Sequence, residues 1–98
     1  MNSDIKIAKE VFDIEANAVL KLKDNLTEDF ENTVKEIINC NGKVVVCGMG
    51  KSGLIGKKIA ATLASTGTPS FFMHPAEAFH GDLGMITSND VFIGISNS

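Results

Sequence analysis

Residues 43–53 constrain the fold more than any other stretch. Lys43-Val44-Val45-Val46-Cys47 is an almost unbroken apolar run, the pattern of a strand covered on both faces in a parallel sheet. Gly48-x-Gly50-x-x-Gly53 follows at once, and a helical pattern follows that. A buried strand that passes through a tight glycine loop into a helix is the first half of a β-α-β crossover. The crossover helix is expected over Leu54 to Ser65, with Leu54, Ile55, Ile59, Leu63 and Ala64 apolar and Lys57 and Lys58 toward water. Gly67-Thr68-Pro69 ends it. Ser70 to Met73 reads as a second strand, His74 to Asp82 as a loop or short helix, and Val91 to Ile95, introduced by Asp90, as a third strand.

The pattern before Gly42 is different. Ile5, Ala8, Phe12, Ala16, Val19 and Leu20 recur at helical spacing, with Lys6, Lys9, Glu10, Asp13 and Lys21 on the other side. Asp4 is placed to cap this helix. A break at Asp24-Asn25 precedes a second helix capped by Thr27, with Phe30, Val34, Ile37 and Ile38 as its apolar face. Asn41-Gly42 ends it, Gly42 being suited to a left-handed position after the last turn. Both helices read as core packing or as a subunit interface. The chain thus divides into an N-terminal helical segment, 1–41, and an α/β part, 42–98. The expected class is a three-layer α/β/α fold with a parallel, flavodoxin-like sheet, truncated after the third strand and preceded by two helices. Three strands with one full crossover make about half of a doubly wound domain, so the sequence reads as the N-terminal part of a longer protein or as a chain that needs a partner to hide its sheet.

Composition narrows the function. Nine Lys/Arg against twelve Asp/Glu leave a net charge of −3 in 98 residues, which argues against a broad nucleic-acid footprint. No apolar run approaches the roughly 20 residues that cross a bilayer, and the N-terminus lacks the basic-then-apolar pattern of a secretory signal. The chain reads as cytoplasmic. Cys40 and Cys47 fit no paired metal or redox spacing and read as free thiols.

The glycine loop predicts an anion. Glycines let backbone approach a ligand closely, and a helix N-terminus presents unpaired N–H groups and a positive dipole end. A dinucleotide site wants a carboxylate near the end of the second strand, where this chain has Phe71-Phe72-Met73-His74-Pro75. A P-loop wants its first glycine where this chain has Val45. A small phosphorylated metabolite needs only the cradle and a few hydroxyls. Ser52 supplies one from the start of the crossover helix, and Ser96 and Ser98 supply others from the end of the third strand. If the first and third strands are neighbours at the point where the winding reverses, these groups meet outside the strands' carboxyl ends.

Four stretches, in this order, carry a family resemblance: Val45-Val46-Cys47-Gly48-Met49-Gly50-Lys51-Ser52-Gly53, Ser65-Thr66-Gly67-Thr68-Pro69-Ser70-Phe71-Phe72, His80-Gly81-Asp82-Leu83-Gly84-Met85-Ile86, and Ile95-Ser96-Asn97-Ser98. Together they resemble the sugar isomerase (SIS) domain of arabinose-5-phosphate isomerases, from about Gly42 to the end. The resemblance implies a five-stranded parallel sheet and a pentose 5-phosphate as ligand. It implies interconversion of D-ribulose 5-phosphate and D-arabinose 5-phosphate in the supply of Kdo for lipopolysaccharide or capsule. It also implies a homotetramer, often followed by a pair of CBS domains, with no metal, nucleotide or other cofactor. Matched to the family, Lys51 and His80 are the catalytic candidates. Gly48, Gly50, Ser52, Gly53, Ser96, Asn97 and Ser98 are the candidates for holding the phosphate and substrate. The family's carboxylate bases follow the Ser-Asn-Ser motif, so these 98 residues would hold only part of the proton-transfer machinery.

The chemistry suits these residue types. Moving a carbonyl between C1 and C2 requires a base at carbon, an acid/base for the oxygens and donors for a developing enediolate. Lys51 would pair with the phosphate or the enediolate. His80, as an imidazole suited to proton transfer, would open the sugar ring or shuttle a proton between oxygens. Asp82 would orient His80 or cap a turn, and Glu77 reads as surface. His74-x-x-Glu77-x-x-His80-x-Asp82 matches no closed zinc pattern. Two other functions fit parts of the sequence: a SIS module that senses a sugar phosphate, and a nicotinamide-dependent oxidoreductase resting on the glycine loop alone.

Overall fold

The computed structural model describes residues 3–97. The chain forms two compact units, Met1–Thr33 and Val34–Ser98. Ser98, one of the expected hydroxyl donors, lies outside the described residues.

The first unit contains helix α1 (Ser3–Lys21), a one-turn 3-10 segment over Leu22–Asn25 and the start of α2 (Glu28–Ile38). Asp4 lies inside the first described turn of α1, so its carboxylate complements the helix dipole and does not cap the helix. Among the described residues of α1 none is buried. Thr27 does cap α2: its Oγ1 accepts the Asp29 N–H at 3.2 Å. Glu28, Asp29 and Glu31 in the first turn complete a favourable start.

The second unit is built on three parallel strands, β1 (Val44–Gly48), β2 (Ser70–Met73) and β3 (Val91–Ile95), in the order β2-β1-β3. The expected reversal of winding between the first and third strands is present. Val44, Val45 and Val46 are 0% exposed, and the central strand that carries them has a neighbour on each edge. Side chains alternate across the sheet, and in register Val46 lies between Phe72 and Ile93, and Gly48 beside Ile95. One face is covered by α3 (Gly50–Ser65), whose Ala60 packs with Val44 and Val46.

Three details differ from the expectation. Helix α3 begins at Gly50, so Lys51, Ser52 and Gly53 form its first turn and only Met49 remains as connection between β1 and α3. Its buried residues are Gly53, Gly56 and Ala60, while Leu54 and Ile55 are 66% and 57% exposed. The helix approaches the sheet along a stripe of small residues, with Leu63 of its last turn also packed against the core and Leu54 and Ile55 left outside it. A Cβ on Gly56 would already stand 3.1 Å from the Phe72 ring and 3.2 Å from Val46. Gly42 is the third. Positive φ occurs at Gly50, Gly67 and Gly81, not at Gly42. Gly42 is needed for space: a Cβ there would run into the Asp90 carboxylate and stand 2.8 Å from the Asn89 carbonyl oxygen.

That crowding belongs to a staple joining the amino ends of β1 and β3. The Asp90 carboxylate accepts the Lys43 N–H at 2.7 Å and the Thr87 N–H at 2.8 Å. The Asn89 carbonyl accepts the Gly42 N–H at 3.1 Å, and the Lys43 carbonyl accepts the Val91 N–H at 3.0 Å. The Lys43 amide, then the Thr87 amide, hold the Asp90 carboxyl below its ordinary pKa of 3.8. Because the folded pKa is depressed, this carboxylate stabilises the fold fully above the ordinary value, and the contribution is lost as pH falls through the folded one. Urea unfolding followed from neutral pH down to about pH 2 should therefore show an acid loss of stability that Asp90→Asn reduces. An unchanged acid limb in that variant would assign the loss to other carboxylates.

Candidate functional site

Parallel strands end together, so the carboxyl edge of this sheet gathers the residues that follow β1, β2 and β3. After β1 the chain turns at Gly48 and Met49 directly into α3. Gly48 is buried, and a Cβ on it would stand 3.1 Å from the Ile95 carbonyl oxygen and 3.1 Å from the backbone of Ser52. A Cβ on Gly53 would stand 2.7 Å from the Gly48 carbonyl oxygen. These two glycines therefore press the first turn of α3 onto the end of β1. Gly50 adopts φ +58° with nothing within 4 Å of a would-be Cβ, so it serves conformation and leaves its outer side open. The Gly53 N–H bonds to the Met49 carbonyl at 3.1 Å, and Met49, in extended conformation, precedes the helix without capping it through its side chain. The amides that precede Gly53 at the start of α3 occupy the positions that lack an intrahelical acceptor at a helix N-terminus.

Beside this turn lies a cleft of about 480 Å³ lined by Met49, Lys51, Ser52, Ile95, Ser96 and Asn97. It brings the expected Lys51 and Ser52, from the first turn of α3, together with the expected Ser96 and Asn97, from the end of β3. Lys51 is exposed and Ser52 half-buried. The cleft thus presents an ammonium, hydroxyls, a side-chain amide and a positive dipole end, with no carboxylate among the lining residues. That donor set suits a dianionic phosphate ester. A second cleft of about 400 Å³ adjoins it on the other side of Met49, with Cys47, Pro75, Phe92 and Gly94 in its lining.

Met49, Ile95 and Cys47 are not among the site residues that the sequence predicts. Their signal was present. Met49 sits between the first two glycines of the loop, and Ile95 is the register partner of Gly48. Cys47, one residue earlier, points to the opposite face of the sheet and so reaches only the second cleft.

His80 stands elsewhere on the same edge. It follows the short helix α4 (Pro75–Phe79), which continues from β2 on the far side of β1 from β3. It is exposed and lines neither of the two clefts. Its backbone is fixed by a bond from its N–H to the Glu77 carbonyl at 3.0 Å. Asp82 opens a 3-10 turn over Asp82–Met85 behind Gly81, which takes φ +119°. Among the described residues no group of three or more His, Cys, Asp or Glu is arranged to hold a metal ion. Cys40 and Cys47 are free thiols, and no helix is long and apolar enough to cross a membrane among the described residues.

Known proteins resemble this chain in sequence and in fold. The chain is 54% identical over 94 residues to a probable arabinose 5-phosphate isomerase of Haemophilus influenzae, covering 96% of this chain and 28% of that protein. It is 59% identical over 90 residues to the arabinose 5-phosphate isomerase KdsD of Yersinia pestis, covering 92% of this chain and 27% of the relative. The chain therefore spans less than a third of the length of these curated relatives. Among solved structures, an E. coli CFT073 protein in complex with arabinose 5-phosphate superimposes with a TM-score of 0.89 at 52% identity, over 100% of this chain and 53% of that one. A Bacteroides fragilis structure, described as a putative phosphosugar isomerase involved in capsule formation, gives 0.87 at 45% identity, over 96% of this chain and 50% of that one. The SIS domain family matches residues 36–98, which take in the whole sheet, α3 and both walls of the cleft. By sequence and by fold alike, the chain belongs to the SIS domain family.

Proposed function

We propose that this chain carries the phosphate-gripping part of an aldose–ketose isomerase that interconverts D-ribulose 5-phosphate and D-arabinose 5-phosphate in the supply of Kdo. The observation that carries the reading is the cleft in which Lys51 and Ser52 face Ser96 and Asn97. The names of the isomerase relatives, and the arabinose 5-phosphate complex of the E. coli protein, support the choice of ligand.

In this reading the 5-phosphate sits against the amides that open α3, with Ser52, Ser96 and Asn97 donating to its oxygens. Ser98, by the motif, adds a further hydroxyl. Lys51 neutralises part of the roughly −2 charge of the ester or meets the enediolate oxygen. The carbon skeleton then lies across Met49, its C1–C2 end away from the phosphate. His80 moves a proton between the two sugar oxygens as the enediol forms and collapses. The family's carboxylate base lies beyond Ser98 in sequence order, so the 98 residues alone bind substrate and turn it over slowly or not at all. The whole protein is read as a cytoplasmic homotetramer.

Calorimetric titration tests this directly. Arabinose 5-phosphate is expected to bind and inorganic phosphate to compete with it, while arabinose and NADH give no heat of binding. Binding of NADH without the sugar phosphate would move the assignment to an oxidoreductase. Full turnover by the isolated chain would show that the base lies within it.

A further inference from the structure

The sequence sets two histidines six residues apart, and the geometry separates their roles. His80 is a candidate for proton transfer. We infer that His74 is a positioning residue for it, acting as the N-cap of the helix that carries His80.

His74 follows Met73, the 2% exposed end of β2. Its Nδ1 accepts the Ala76 N–H at 3.0 Å. Its carbonyl accepts the Ala78 N–H at 3.1 Å. Pro75, at the first helical position, has no N–H to satisfy. One residue therefore provides both the side-chain acceptor and the first carbonyl of the helix. The helix has five residues, Pro75–Phe79, far below the roughly 12 at which a helix begins to hold by itself. It depends on how its ends are fixed. Its far end is His80, whose N–H bonds to the Glu77 carbonyl at 3.0 Å, followed by the Gly81 N–H on the Ala78 carbonyl at 3.3 Å. The His80 backbone is thus set by the turn that His74 starts.

The accepting role also fixes the imidazole. Nδ1 is taken up by the Ala76 N–H and is not free for another donor. Histidine is not among the preferred N-caps, which are Ser, Thr, Asp and Asn. That permits a test in which shape and capping are separated.

The assignment of His74 rests on the reading of His80 as a site residue, so the experiment has two arms. In the first, amide hydrogen exchange is measured by NMR on the ligand-free chain for the wild type, His74→Ala, His74→Asn and His74→Gln. Protection at Ala78, His80 and Gly81 is expected to fall roughly fivefold in the Ala and Gln variants, as for loss of a typical cap, and to be kept by Asn. The Val44–Val46 amides report whether each variant is folded. In the second arm the His80 ring resonances are followed while arabinose 5-phosphate is added. They are expected to shift in the wild type and in His74→Asn, and to lose the response in His74→Ala. Wild-type protection in His74→Ala, or a His74→Asn chain as unprotected as His74→Ala, would overturn the inference. A wild-type His80 that ignores the ligand while the first arm holds would instead remove His80 from the proposed site.

Discussion

Gly53→Ala is expected to lower the unfolding free energy by about 1–3 kcal/mol, the range for forcing atoms into a packed contact, and to weaken binding of arabinose 5-phosphate. The new Cβ would stand 2.7 Å from the Gly48 carbonyl oxygen. That oxygen is backbone and cannot rotate away, so the first turn of α3 must lift off the end of β1. Lifting it displaces Lys51 and Ser52 from Ser96 and Asn97 across the cleft. Gly56→Ala provides the comparison. Its Cβ would meet the Phe72 ring at 3.1 Å and Val46 Cγ1 at 3.2 Å, side-chain atoms that can give by a few tenths of an ångström. It should cost less and leave the ligand affinity unchanged. Gly50→Ala meets no atom, and its penalty is conformational only, from φ +58°, roughly 1 kcal/mol. Urea midpoints and calorimetry on the three variants give the order. A Gly53→Ala protein as stable as Gly56→Ala would show that the turn does not depend on the Gly48–Gly53 contact.

Lys51→Ala is expected to weaken arabinose 5-phosphate binding by about 10–100-fold, since a hydrogen bond to a charged group is worth roughly 1.5–3 kcal/mol. Lys51 is exposed at the cleft, so part of its contribution is Coulombic and should shrink as salt is raised. Lys57 and Lys58 lie further along the same helix, outside the cleft, with the Lys57 ammonium 5.5 Å from the Phe72 ring centre. Replacing either by alanine should leave affinity alone. Equal losses from Lys51 and Lys58 variants would reduce the effect to net charge and remove Lys51 from the site.

Much of the sheet was legible because each strand announces itself locally. The Val44–Val46 run and the glycine loop fix β1 and the crossover, and Asp90 marks the entry to β3. The meeting of Ser52 with Ser96 and Asn97 followed from one topological step, the reversal of winding between β1 and β3. The packing face of α3 was not legible in the same way. Periodicity looks for large apolar residues, and this helix instead turns Gly53, Gly56 and Ala60 inward, so Leu54 and Ile55 point outward. Gly42 misled for a related reason. A glycine after a helix suggests a left-handed cap, whereas its smallness here serves a carboxylate from a residue 48 positions away in sequence order. That His74 caps α4 could not be read from spacing, because only the fold shows its Nδ1 engaged by the Ala76 N–H.

The contact between Gly48 and Gly53 has a thermodynamic consequence for whatever the cleft receives. The turn is braced when the chain folds, by atoms of the chain itself, before any guest arrives. The loss of conformational freedom that a floppy anion loop suffers on association is incurred here during folding. A wall braced in this way needs no closing segment to hold its shape.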